Sequence, residues 1–281
     1  MHIVKVPGIN GLGKTNGCEK SPNEILRFLK EISVNEKGRE VNFQNLDLEE
    51  IHLDNSNLKS ANELIYKNSF GCFGAKPRTI FLGGDHSISY SLTKAFFDFC
   101  KSSGRVSQIH SASSMCGQSK EPCLIVFDAH PDLMPPMKEP THEEWLRKLV
   151  EGGFPGENIL IVGAREIEKG ELKFLKKSDI KTISLNRFEE NLEDACDTIM
   201  EFANGKELYV SIDIDVIDPV FAPATGYPVP GGFSSRQFLY LISRINKIKN
   251  LRAVDIVEIN SEKDESNLTV KLGAKILAEL L

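Results

Sequence analysis

Short apolar runs rich in β-branched residues alternate along this chain with longer stretches of helical period, the pattern of βαβ units wound about a parallel sheet. The apolar runs predict strands over 2–6, 40–43, 78–82, 123–127, 159–162, 181–184, 207–212 and 253–257. Leu124-Ile125-Val126-Phe127 has no polar alternate, so both of its faces are expected under cover, as at the centre of a doubly wound sheet. Helical period predicts helices over 22–30, with Pro22 in the first turn, and over 190–203, 235–248 and 268–281. The Ser-rich stretch 101–122 is weakly periodic and reads as a long surface loop with no element of its own. No internal repeat or linker divides the sequence, so a single domain spanning 1–281 is expected.

Composition narrows the class of partner. With 41% hydrophobic and 26% charged residues in 281, the chain has ordinary globular proportions. Its 34 Lys and Arg against 40 Asp and Glu leave a formal charge of −6, which argues against a nucleic-acid surface, since phosphates demand clustered excess cations. No apolar stretch approaches the roughly 20 residues that cross a bilayer, so no membrane span is expected. The six cysteines form no Cys-x-x-Cys pair and read as reduced thiols; with no export-type segment at Met1 to Asn10, a cytoplasmic location is expected.

Three short runs beyond predicted strands concentrate the chemistry. Gly83-Gly84-Asp85-His86-Ser87 follows one apolar run, its paired glycines allowing a sharp turn. Asp128-Ala129-His130-Pro131-Asp132 follows another, with ligand-type side chains at i, i+2 and i+4 that an extended backbone would send to one side. Asp213 and Asp215, in Ser211-Ile212-Asp213-Ile214-Asp215, repeat that spacing. Ionised groups at the ends of buried strands need a partner or a metal. His86, Asp128, His130, Asp132, Asp213 and Asp215 total −4 with neutral imidazoles, which two divalent cations cancel. An oxygen and nitrogen ligand set without thiolate, dominated by carboxylates, leans towards Mn, and two metals roughly 3.5 Å apart share a bridging water that becomes hydroxide near neutral pH.

In order and spacing these runs resemble the ureohydrolase family of arginase, agmatinase and formimidoylglutamase, whose pattern is GGDHS, DAHxD and SxDxDxxDP. The resemblance extends to Gly17-Cys18-Glu19-Lys20-Ser21-Pro22, to Gly226-Tyr227-Pro228-Val229-Pro230-Gly231-Gly232 and to Asp255-Ile256-Val257-Glu258-Ile259-Asn260. It implies a three-layer α/β/α fold with a mostly parallel sheet of about eight strands, two Mn²⁺ per chain and a homo-trimer or homo-hexamer. Carried over by residue, it makes Asp128 and Asp213 bridging carboxylates, His86 and Asp132 ligands of one metal, and His130 and Asp215 ligands of the other. Glu258 matches the acid that accepts hydrogen bonds from a guanidinium, and His142 the histidine that passes a proton to the departing amine, both as catalytic groups. Glu168 matches an acid that contacts a substrate amino group.

Departures from the pattern leave the substrate open. His142 is followed by Glu143 where glycine is common, and Asn260 by Ser261 where proline is usual. The short loop 133–140 lacks the Asn and Ser pattern by which arginases hold a carboxylate and is nearer to agmatinases, while Gly163-Ala164-Arg165-Glu166-Ile167-Glu168 has an arginase look. The expected activity is hydrolysis of a small guanidino compound, of agmatine or arginine type, to urea and an amine; a formimidoylglutamase-type hydrolase and a non-catalytic relative are the alternatives. Gly8-Ile9-Asn10-Gly11-Leu12-Gly13-Lys14-Thr15 also fits the phosphate-loop pattern GxxxxGK[ST], which requires a helix to begin at Lys14-Thr15. Asn16, Gly17 and Pro22 interrupt that stretch, so it reads as a glycine-rich connection.

Overall fold

A computed structural model describes residues 1–106 and 121–281. Its strands are β1 (His2–Val6), β2 (Asp47–Glu50), β3 (Thr79–Gly83), β4 (Pro122–Phe127), β5 (Ile159–Val162), β6 (Lys181–Ile183), β7 (Glu207–Asp213) and β8 (Leu251–Val257). They form one eight-stranded sheet in the order β2-β1-β3-β8-β7-β4-β5-β6, and every pairing is parallel. The run Leu124–Phe127, read as covered on both faces, lies in β4, one of the four central strands β3, β8, β7 and β4, which are almost wholly buried.

Helices cover both faces. Under one lie α1 (Ser21–Leu29), α6 (Leu185–Glu190), α7 (Leu192–Phe202), α8 (Ser235–Ile245) and α9 (Leu268–Leu280), whose apolar residues pack with Ile125, Val210 and Val254. The other face carries α2 (Leu58–Ala75), α3 (Ile88–Val106), α4 (Trp145–Glu151) and α5 (Lys169–Leu175), packing with Val126, Tyr209 and Ala253. The expected three layers are therefore present. No helix among the described residues is long and apolar enough to cross a membrane.

Three expectations change. The run 40–43 is not a strand; the edge strand is Asp47–Glu50, whose four residues are all exposed and so carry no alternation to reveal it. Residues 101–106, expected as the start of a loop, prolong α3, and the stretch 107–120 lies outside the described residues. The run 190–203 is divided by Asn191, which ends α6 and caps α7 by accepting from the Asp194 amide. No helix starts at Lys14-Thr15: the first helical turn is Cys18–Lys20, and Thr15 donates to Asp85 instead.

The candidate metal centre and its cleft

Ligand-bearing segments leave the carboxyl ends of β3, β4, β7 and β8, four adjacent strands reached from both directions of winding, which is where open α/β sheets place their sites. After β3 the chain turns so tightly that a Cβ on Gly84 would sit 2.1 Å from the Gly8 carbonyl oxygen, so only glycine fits. Asp85, fully buried, then fastens the glycine-rich connection by accepting from the Asn10 amide at 2.8 Å and the Thr15 hydroxyl at 3.0 Å. This places His86 over the sheet end.

The second and third runs converge by turns, not by the extended backbone expected of them. β4 ends at Phe127, and Asp132 adopts a left-handed backbone with φ 53°. An aspartate held there is strained, a feature that concentrates at functional sites. β7 ends at Asp213, whose side chain caps the turn Ile214–Val216 by accepting from the Asp215 amide at 2.8 Å.

All six candidate ligands meet. His86 Nδ1 lies 3.1 Å from Asp128 Oδ2, 3.0 Å from Asp132 Oδ2 and 3.2 Å from Asp213 Oδ2. His130 Nδ1 lies 3.0 Å from Asp215 Oδ2 and 3.6 Å from Asp128 Oδ1. Two groups could each hold a metal ion, His86 with Asp128 and Asp213, and His130 with Asp128 and Asp215. Asp128 is common to both.

The surroundings prepare His86 as a ligand. Its Nε2 is 2.9 Å from Ser211 Oγ, and that hydroxyl spends its proton on Asp255 Oδ1 at 2.6 Å. Ser211 must then accept from Nε2–H, which leaves Nδ1 to face three carboxylates. Nδ1 and Asp128 Oδ2 are both buried without a hydrogen-bond partner. A lone pair in that position needs either a proton or a cation. Without a cation, burial opposes charge on His86, but the carboxylates of Asp128, Asp132 and Asp213 crowded against its ring outweigh it and raise its pKa well above the ordinary value. His130 is likewise opposed by burial but driven to about 12 by Asp128 and Asp215. Burial and Asp128 lift Asp132 to about 7, and burial with Asp215 lifts Asp213 well above the carboxylate range. The donor set fits divalent cations: oxygen and imidazole nitrogen, excess negative charge and two unpartnered buried atoms.

A cleft of about 330 Å³ opens beside these groups, and Glu258, His142 and Glu168 all line it. Glu258 is 3% exposed, sits at φ 63°, and accepts the His86 amide through Oε1 at 2.7 Å. Burial and then Asp85 hold its carboxyl well above the usual range, so a permanent cation is what would stabilise its charged form. His142 is buried, stacks on Tyr227 with centroids 5.2 Å apart, and has no hydrogen bond at either ring nitrogen. Burial lowers its pKa, which keeps it neutral and ready to take a proton. Glu168 is exposed at the start of α5.

Several supporting residues escaped the sequence reading. Asp255 collects the Ser89, Tyr209 and Ser211 hydroxyls; the one hint was a lone acid in the apolar run of β8. Trp145 donates to Asp132 Oδ2 at 2.7 Å, and its ring lies 4.7 Å from that of His86. Buried Glu171 ties Leu133 to Glu168 through their amides. Arg165 turns away from the cleft to bind the carbonyls of Asp215 and Val229.

With this geometry in view, the comparisons are consistent. The solved formimidoylglutamase of Bacillus subtilis superposes with a TM-score of 0.85 at 22% identity, covering 99% of this chain and 85% of that one. Proclavaminate amidino hydrolase of Streptomyces clavuligerus gives 0.82 at 24% identity, covering 99% and 89%. At that identity the two share the fold. An arginase of Staphylococcus aureus is 26% identical over 306 residues, 98% of this chain and 94% of its own length. The Arginase family model matches residues 1–281. The chain thus belongs to the arginase family.

Proposed function

We propose that the chain is a manganese hydrolase that cleaves a guanidino compound with a cationic tail, of the agmatine type, to urea and an amine. The observation that carries the substrate class is the charge of the cleft. Glu143, Glu166, Glu168 and Glu258 line it together with the ligand carboxylates, and its described lining contains no Lys or Arg. A substrate carboxylate would find no cation there to meet it, whereas an amine at the far end would find Glu166 and Glu168. Residues 1–281 would act as one domain, since one sheet runs through the described chain and the family model covers its length.

Asp128 and Asp213 would be the carboxylates common to two ions, with His86 and Asp132 completing the ligands of one and His130 and Asp215 those of the other. Mn²⁺ suits this carboxylate-rich set without thiolate. Bound there, the pair would acidify a shared water to near-neutral pKa. The rest is the work of the chain's own side chains. Glu258 accepts guanidinium N–H groups and fixes the plane of the substrate, its own orientation set by the His86 amide. His142, neutral and without a hydrogen bond on the cleft wall, would take up the proton that the attacking water loses and pass it to the nitrogen that leaves. Tyr227 holds the His142 ring by stacking.

The test is to strip the protein of metal, reload it with Mn²⁺, and assay urea or formamide release from agmatine, arginine, guanidinobutyrate, guanidinopropionate, formiminoglutamate and guanidine. Agmatine should be turned over with kcat/KM at least about tenfold above arginine, the scale of one lost charge pairing. Preference for a carboxylate-bearing substrate would overturn the cationic tail. No turnover of any, with two metals bound, would make the chain a non-catalytic relative.

A further inference from the structure

At the amino end of the sheet, opposite the cleft, lies a second set of ligand-type side chains. β2, β1 and β3 run side by side in parallel register, with Asp47 beside His2 and His2 beside Thr79. Alternation along strands puts Asp47, Glu49, His2 and Thr79 on one face. That is the face covered by α2, since Val4 and Phe81 pack there with Cys72 and Phe73. His2 is only 4% exposed. Its Nδ1 lies 3.0 Å from Thr79 Oγ1, and its Nε2, a buried atom with no hydrogen-bond partner, lies 3.4 Å from Glu49 Oε1. Ligand atoms of His2, Glu49 and Cys72 all fall within 4.8 Å of one another.

An ordinary ion pair accounts poorly for this arrangement. The Glu49 side chain is 55% exposed and has water available, while His2 Nε2 is enclosed without a hydrogen-bond partner, and the Cys72 sulfur belongs to the same cluster of ligand atoms. Thr79 engages the opposite ring nitrogen, which fixes the ring as a supporting partner does in metal sites. A tetrahedral zinc ion with bonds of about 2.0–2.3 Å sets its ligands about 3.3–3.8 Å apart, and the His2–Glu49 separation already falls in that window.

We propose that His2 Nε2, Glu49 and Cys72 Sγ bind one zinc-type divalent cation, which fastens the edge strand β2 and the end of α2 to β1. A thiolate, an imidazole and a carboxylate together select a softer ion than the carboxylate-rich cleft does. A water would complete the shell. Cross-linking at this point also guards a sheet edge whose strand is short and exposed.

The experiment uses the full chain, stripped with chelator and titrated with Co²⁺, whose bond to a thiolate gives a charge-transfer absorption that carboxylate and imidazole ligands do not. The expected result is that absorption, with three equivalents bound per chain. Cys72→Ser should abolish the absorption and the third equivalent while leaving hydrolysis of the guanidino substrate unchanged. Cys18→Ser, which alters the thiol beside Glu258, should retain the absorption. Glu49→Gln, at an exposed side chain, should weaken the third equivalent at least tenfold, and Thr79→Val by about 10–100-fold. Absence of the absorption in the parent protein, its persistence in Cys72→Ser, or unchanged affinity in folded Glu49→Gln would each overturn the site. Failure of the cleft metals leaves this readout intact, because it reports thiolate ligation alone.

Discussion

Along β7, Leu208, Val210 and Ile212 point into the layer beneath α7, α8 and α9, whereas Tyr209, Ser211 and Asp213 point the opposite way. Both sets are buried to within a few per cent. On the apolar side, burial is itself the stabilising term, worth about 1.5–3 kcal/mol per large side chain. On the polar side each group removed from water costs free energy until it finds a partner. Tyr209 and Ser211 find Asp255; Asp213 finds His86 and the Asp215 amide. The two faces of one strand therefore serve different ends: one holds the sheet to its helices, and the other aims His86 at three carboxylates. Damage to the first should show in stability and damage to the second in metal binding and turnover.

That division can be broken at either face. The largest effect is expected for Asp128→Asn, which strikes the carboxylate common to both ligand groups; turnover should fall by more than about 10³-fold and metal content below two per chain. Next comes His142→Ala, for which kcat should drop by about 10²–10⁴-fold with metal content intact. Unchanged kcat would reduce His142 to a ring that packs on Tyr227. Asp255→Asn removes the negative charge and turns one of two hydroxyl-accepting oxygens into an amide donor without touching a ligand, and metal affinity should weaken by about 10–100-fold in a chelator competition.

The apolar face gives the opposite result. Ile212→Ala should cost about 2–5 kcal/mol in denaturant unfolding, while kcat at 25 °C stays within about twofold of the parent. A large loss of kcat there would mean the faces are not separable. The smallest effect concerns pH. Burial depresses the His142 pKa, so between its native value and the ordinary 6.5 the unfolded chain binds a proton that the native chain does not. Stability then rises with pH through that window and falls on acidification below 6.5. His142→Gln should flatten the acid side of the unfolding curve, by less than about 1.4 kcal/mol per pH unit.

How far the sequence carried depended on whether a residue's partners were near it in the chain. The run 124–127 revealed a central strand because apolar residues without a polar alternate fit no half-exposed position. Asp47-Leu48-Glu49-Glu50 revealed nothing, because an edge strand with exposed side chains is held by backbone bonds to β1 that leave no mark on residue type. His86, Asp128, His130, Asp132, Asp213 and Asp215 stood out by local spacing. Asp255, Trp145 and Arg165 did not, since their hydrogen bonds reach residues 44, 13 and 50 positions away.

Sequence by itself indicated the class of fold and singled out the candidate ligands, since hydrophobic period and side-chain chemistry are properties of short segments. Only the tertiary structure decided how those types are used. It turned two supposed extended runs into tight turns and fixed which nitrogen of His86 faces the carboxylates. It also left the cleft without a described cation and brought His2, Glu49 and Cys72 together at the far end of the sheet. Each of these depends on strand order and on contacts between distant segments, and through-space distance is the one quantity that a linear string of residues does not contain.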